Sequence, residues 1–122
     1  MNVNIINTLK NVTENIINKE NTIAKKEKNI IKYKTSEYNC ILKINSPKEI
    51  VFNRKNNDMD CTMYFKLNKK TTSIYTIKKE YQLEFDIKTT FLKITDKLIE
   101  IHYIIIDAQT NYEYIIEMSE IK

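Results

Sequence analysis

One arginine and four of the eight tyrosines are the residues of this 122-residue sequence whose chemistry is best suited to holding a ligand. Arg54 is the only arginine. Tyr33, Tyr75, Tyr103 and Tyr114 lie, like Arg54, on segments whose pattern predicts β-strands. A barrel interior lined by phenols beside one guanidinium would suit a small anionic or amphiphilic ligand. The alternative is that the tyrosines simply pack on the sheet and that a buried ion pair satisfies Arg54.

The remaining acid–base groups do not form a catalytic or metal-binding set. His102 is the only histidine, and either role would require partners that the sequence does not place beside it. The pairs Asp58/Asp60 and Glu84/Asp86 each share a face, but exposed strand charges explain them without hydrolysis. The absence of Gly excludes phosphate-binding loops, dinucleotide fingerprints and nucleophile elbows. We therefore expect no catalysis, no metal and no cofactor.

The net charge says little about partners, although its distribution is uneven. The formal charge is +4, which is too small to predict nucleic-acid binding. Residues 1–57 hold 11 Lys or Arg against 5 Asp or Glu, so a second hypothesis is a small interaction protein of phage or mobile-element type. Such a protein would bind a protein or nucleic-acid partner through its basic N-terminal part. The oligomeric state is not predicted.

The two cysteines indicate a reducing compartment. Cys40 and Cys61 are each in phase with apolar neighbours on a predicted strand, which is typical of buried thiols and not of a disulfide or a metal pair. No apolar run reaches the roughly 18 residues of a membrane span, and the N-terminus lacks the apolar core of a signal peptide. We expect a cytoplasmic protein with no membrane partner.

Apolar residues at every second position predict a succession of antiparallel strands. The segment M-D-C-T-M-Y-F-K-L, residues 59–67, places alternate apolar side chains on one face. Similar alternation gives eight or more short strands joined by polar turns, and its phase slips at Thr89–Thr90, where we expect a bend, bulge or break. Because an open sheet leaves its edges exposed, the strands are expected to close into a small antiparallel meander barrel. The length fits a single domain, residues 1–122.

The first thirty residues allow two interpretations. Their apolar residues recur at spacings of three and four, which favours an amphipathic helix. The same residues can instead form three strands, at 3–9, 16–24 and 29–34, with a Lys-Glu-Lys-Asn turn before the third. Periodicity alone slightly favours the helix, and the strand interpretation stays open beside it.

Several short motifs resemble the YwiB-like family of small bacterial proteins. They are I-V-F-N-R, which ends at Arg54, then M-Y-F, then a long strand with Thr89–Thr90, and I-E-I-H-Y-I-I-I-D near the end. Upstream, residues 23–35 resemble an early hairpin that ends in a Tyr-containing strand. The resemblance covers about residues 14–121 and implies a calycin-type, lipocalin-like barrel, with strands in the N-terminal part. It implies no activity, because the family has none assigned.

Overall fold

Ten antiparallel strands follow one another around a closed barrel in the computed structural model, which describes residues 1–121. The strands are β1 (Asn2–Asn11), β2 (Ile16–Glu27), β3 (Ile30–Lys34), β4 (Asn39–Ser46), β5 (Glu49–Lys55), β6 (Met59–Lys66), β7 (Lys70–Ile77), β8 (Tyr81–Ile94), β9 (Leu98–Ile105) and β10 (Thr110–Glu120). Each strand pairs with the next along the chain, and β1 pairs with β10 to close the barrel. The predicted all-β meander barrel is therefore confirmed. The described residues include no helix long and apolar enough to cross a membrane.

The helical interpretation of the first thirty residues is wrong. β1 and β2 form a hairpin, and β1 is paired along its other side with β10. Residues four apart share a face in both a helix and a strand, so Ile5 and Leu9 fit either pattern. The helical pattern also needs Val12, Ile16 and Ile23 on the buried face, but these residues are about half exposed, at 48%, 49% and 58%. Because β1 pairs with β2 on one side and with β10 on the other, this segment is a strand and not a helix.

The barrel interior is filled by the inward-facing residues of all ten strands. Inward side chains from β6 and β9, such as Met63, Phe65, Ile99 and Ile101, are almost completely buried. The slip at Thr89–Thr90 is a register shift between β8 and β9, as expected, and it returns Leu92 to the core side. This alternation fixes which face each predicted site residue occupies, since successive side chains on a strand point to opposite faces.

Two pairs of neighbouring strands, β2–β3 and β6–β7, are joined by short ladders of four paired positions each, and we call these two places seams. β2 pairs with β3 only through Ala24–Glu27, and β6 pairs with β7 only through Met59–Thr62. Residues 16–23 of β2 therefore extend past the end of β3. The β3–β4 loop, residues 35–38, lies beside this extension, because the backbone N–H and hydroxyl of Ser36 both donate to the carboxylate of Glu20. The seam between β2 and β3 opens the barrel wall next to the site described below.

Candidate functional site

Arg54 lies on the inner face of the barrel. On β5 it alternates with the buried residues Ile50 and Phe52, and its register partners on either side are Cys40 of β4 and Cys61 of β6. Both thiols are buried and free, as the sequence predicts. Burial raises the pKa of Cys40 to about 11 and also raises that of Cys61, so both stay protonated at neutral pH. The two cross-strand neighbours of Arg54 are therefore uncharged.

The guanidinium of Arg54 has no anionic partner among the described residues. Its Nε atom is buried without a hydrogen bond, and the ion pairs found in residues 1–121 do not include it. Its Cζ atom lies 5.4 Å from the ring centroid of Tyr38 and 5.9 Å from that of Phe52, within reach of cation–π attraction. Burial lowers the pKa of Arg54, but the surrounding phenols and Cys61 outweigh it, so the net shift is upward and the group stays charged.

A pocket of about 180 Å³ lies beside Arg54. Its walls come from the ends of β1, β2, β4, β5 and β10 and from the β3–β4 loop, and they include Asn7, Glu20, Tyr38, Cys40 and Tyr114. A wider hollow of about 850 Å³ lies near the C-terminal end of β10, but no predicted site residue lines it. The guanidinium of Arg54, which has no ion-pair partner among the described residues, therefore lines an open pocket.

Tyr33, Tyr114 and Asn7 form a buried hydrogen-bonded triad next to this pocket. The hydroxyl of Tyr33 donates to Oδ1 of Asn7 at 3.2 Å, and the hydroxyl of Tyr114 bonds both to this oxygen and to the hydroxyl of Tyr33. Burial is the largest of the influences that raise the pKa of both phenols. The triad therefore presents neutral hydroxyls, fixed by the amide, to the pocket wall that contains Asn7 and Tyr114.

The other two predicted site tyrosines do not line the pocket. Tyr103 packs in the core, with its ring centroid 5.0 Å from that of Phe65 and stacked 5.3 Å from that of Tyr112. Burial raises its pKa, while the positive charge of Arg54 acts in the opposite direction. Tyr75 is partly buried on β7 and packs against the core. Of the predicted site residues, Arg54 and Tyr114 therefore line the pocket, Tyr33 is joined to its wall through hydrogen bonds to Asn7 and Tyr114, and Tyr103 and Tyr75 pack elsewhere in the barrel.

Most residues that line the pocket, among them Tyr38, Asn7 and Glu20, were not predicted from the sequence. Tyr38 precedes Cys40 by two positions, so the alternation that places Cys40 inside could also have placed Tyr38 there. Asn7 stands between Ile5 and Leu9 in the same inward series of β1, and a polar residue in an apolar series was a usable signal. Glu20 had no such signal, because only the seam beside β3 brings it to the pocket.

The histidine and the acidic pairs lie away from this site. His102 faces outward, with its Nε2 atom 2.5 Å from Oε2 of Glu100 and its ring 4.7 Å from that of Phe91. Asp60 accepts a hydrogen bond from Nδ2 of Asn53 at 2.7 Å, and Asp86 accepts one from Thr72 at 2.8 Å. Within residues 1–121, no three His, Cys, Asp or Glu side chains are grouped as metal ligands would be. His102, Asp60 and Asp86 therefore have structural partners away from the pocket.

Replacement of Asn7 by leucine tests the triad. Asn7→Leu removes the acceptor of two buried hydroxyls, and although the phenols can still bond to each other, one donor is left unsatisfied. We expect the free energy of unfolding, measured by urea denaturation, to fall by about 1–3 kcal/mol. Asn4→Leu, at an exposed position on the same strand, is the matched control. A loss below about 0.5 kcal/mol for Asn7→Leu, a range usual for surface substitutions, would show that the triad contributes little.

Comparison of the chain with protein-family models, with curated proteins and with solved structures found no match. The searches therefore give the YwiB-like resemblance no support. The structure agrees with it only in the small antiparallel barrel that it implied.

Proposed function

We propose that this protein is a non-catalytic barrel that binds a small anion at Arg54. The observation that carries the proposal is a guanidinium with a buried, unbonded Nε atom that lines a pocket and has no carboxylate partner in the described chain. An unpaired charge removed from water is costly, and the usual remedies are an ion pair or a ligand. A carboxylate or phosphate in the pocket would supply the missing acceptor oxygens, for which the guanidinium fork is well suited.

The pocket restricts the size and charge of this ligand. Its volume of about 180 Å³ is below the several hundred Å³ typical of sites for drug-sized molecules, so the ligand is a short one. Glu20 and Glu37 also line the pocket. Hydrogen bonds from the side chain and then the backbone of Ser36 lower the pKa of Glu20, which therefore stays negative. These carboxylates favour a monoanion or a zwitterion over a polyanion, since like charges would repel the latter.

A panel of small molecules tests binding at Arg54. Acetate, propionate, glycine, inorganic phosphate and citrate are titrated while the thermal midpoint of unfolding is measured, because a ligand of the folded state raises it. We expect acetate, propionate or glycine to raise the midpoint in the wild-type protein and not in Arg54→Gln. Lys55→Gln is the matched control, since it removes the same charge from the next residue, which is exposed. Stabilisation that survives in Arg54→Gln, or is absent from the wild type for all five compounds, would contradict the proposal.

Membership of the YwiB-like, calycin-type bacterial proteins and a cytoplasmic location belong to the same proposal. The closed ten-stranded barrel supports the former, and the two free, buried thiols support the latter.

A second candidate function is the binding of an acidic partner through the N-terminal strands. Of the seven lysines between residues 10 and 34, five lie on the outward-facing positions of β1, β2 and β3: Lys10, Lys19, Lys25, Lys32 and Lys34. Lys25 and Lys32 are direct cross-strand partners. Like charges placed opposite each other are unfavourable; Glu27 already pairs with Lys25 at 3.3 Å, and an anionic partner would relieve the repulsion that remains.

A further inference from the structure

β2 has a long unpaired edge. Residues 16–25 pair with β1 on one side, but β3 covers the other side only from Ala24 onward. The backbone groups that residues 16–23 direct away from β1 have no backbone partner in the described chain, and the β3–β4 loop meets this stretch through the hydrogen bonds of Ser36 to the side chain of Glu20. We call this segment, residues 16–23, the β2 edge. An exposed strand edge of this length is a template for a further strand.

The side chains of the β2 edge are unusually apolar for a free edge. Ile16, Ile17 and Ile23 are 49%, 60% and 58% exposed. Protected edges are normally short, bulged or charged, whereas here Lys19 is the only outward-facing charge between Ile17 and Ile23. An added strand would satisfy the backbone groups and cover the isoleucines in one step.

We propose that the β2 edge binds an extended, acidic segment of a partner protein by strand addition. Lys19 lies on the outer face of the edge itself, and Lys25 and Lys32 continue the same face beside its end. An added strand that carries one acidic residue between apolar residues on its outward face would oppose Ile17 and Ile23 with apolar contacts and Lys19 with a carboxylate. Hydrogen bonds of the main chain supply affinity, and the alternating side chains supply specificity.

A second copy of this chain fits the same edge poorly. In a continuous sheet related by a two-fold axis, outward residues must face outward residues, so paired positions are both odd or both even. Within residues 16–23, two registers of this kind have the longest overlap between the two copies. One places Lys19 opposite Lys19 of the other copy, and the other places Glu20 opposite Glu20 of the other copy. Like charges directly opposite each other are destabilising. Charge complementarity therefore selects an acidic partner over self-association.

Synthetic peptides test the proposal on the intact protein. The peptide Val-Thr-Thr-Thr-Glu-Thr-Val, which when paired antiparallel places its valines opposite Ile23 and Ile17 and its glutamate opposite Lys19, is the probe, and the same peptide with lysine in place of glutamate is the control probe. We expect the glutamate peptide to slow hydrogen exchange at the amides of residues 16–23, with affinity that falls as salt is added. Lys19→Glu should weaken its binding about fivefold, the equivalent of one favourable charge pair. Lys88→Glu, an exposed position on β8, is the matched control.

Each outcome decides for or against the β2 edge. Equal binding of the two peptides, or no protection of residues 16–23, would overturn the proposal. Protection of these amides that grows with protein concentration in the absence of peptide would assign the edge to a second copy instead. Arg54→Gln should bind the glutamate peptide like the wild type, so failure of the anion pocket and failure of strand addition are distinguished.

Discussion

Replacement of Arg54 by methionine is expected to raise the free energy of unfolding of the ligand-free protein by about 1–3 kcal/mol. Methionine has a similar length and no charge, so it keeps the packing against Phe52 and Tyr38 while it removes a guanidinium whose Nε atom is buried and unbonded. The lost cation–π attraction reduces the gain, since it contributes roughly 0.5–2 kcal/mol. The cost of removing the guanidinium from water, which methionine avoids, exceeds this lost attraction, so the substitution is expected to stabilise the folded protein.

Urea denaturation of Arg54→Met at neutral pH, without added small anions, measures this effect. Lys55→Met is the matched control, because the same substitution at the exposed neighbouring position removes a hydrated charge and should change stability by less than about 0.5 kcal/mol. A loss of stability of 1 kcal/mol or more in Arg54→Met would mean that the arginine is a structural residue, and it would remove the main support for an anion site.

A gain in stability on replacement of Arg54 would indicate that the arginine is retained for binding and not for stability. Natural proteins retain destabilising groups where activity needs them, and binding residues are a common example. An arginine that lowers the stability of the empty barrel and restores it when an anion binds would couple ligand concentration to the folded population. The same substitution should therefore stabilise the empty protein and abolish its response to acetate or glycine.

The barrel was predictable because its strands carry a clear period-two pattern. On β5 the series Ile50, Phe52, Arg54 was enough to place the arginine on the inner face, and the same reasoning placed Cys40 and Cys61 there. The N-terminal strands were ambiguous, because residues spaced by four satisfy both a helix and a strand. Their pairing with β10, more than one hundred residues away in sequence, resolves that ambiguity, and no local pattern reports such pairing.

The composition of the pocket was less predictable than the fold. Period two tells which face a side chain occupies but not its height along the barrel, so Tyr75 and Tyr103 were grouped with Tyr33 and Tyr114. Height depends on the stagger between strands, which is set by the pairing registers around the whole barrel. The contact of Tyr33 with Tyr114, 81 residues apart, arises only when the barrel closes.

The buried phenols and thiols make the folded protein sensitive to alkali. Burial raises the pKa of Tyr33, Tyr103 and Tyr114, and it raises that of Cys40 to about 11 and that of Cys61. In the unfolded chain, thiols release protons near pH 9 and phenols near pH 10, while the folded chain retains them. The unfolded state then binds fewer protons, so the free energy of unfolding falls as pH rises. This stability is complete below about pH 8 and is lost progressively above about pH 9.

Urea denaturation over the alkaline range should show a steep decline in the free energy of unfolding. Each phenol contributes on the order of 1 kcal/mol per pH unit above about pH 10, so the three together can exhaust the few kcal/mol of a small domain within about two units. The near-ultraviolet absorbance of tyrosinate should therefore include a cooperative step, contributed by the three buried phenols, that coincides with unfolding. Because three phenols and two thiols retain their protons in the folded chain, Tyr114→Phe should reduce the slope by about one fifth, whereas Tyr81→Phe, whose side chain is 64% exposed, should keep the wild-type slope. Gradual ionisation of all eight tyrosines in a barrel that stays folded would show that water reaches these hydroxyls and that the interior is not closed around them.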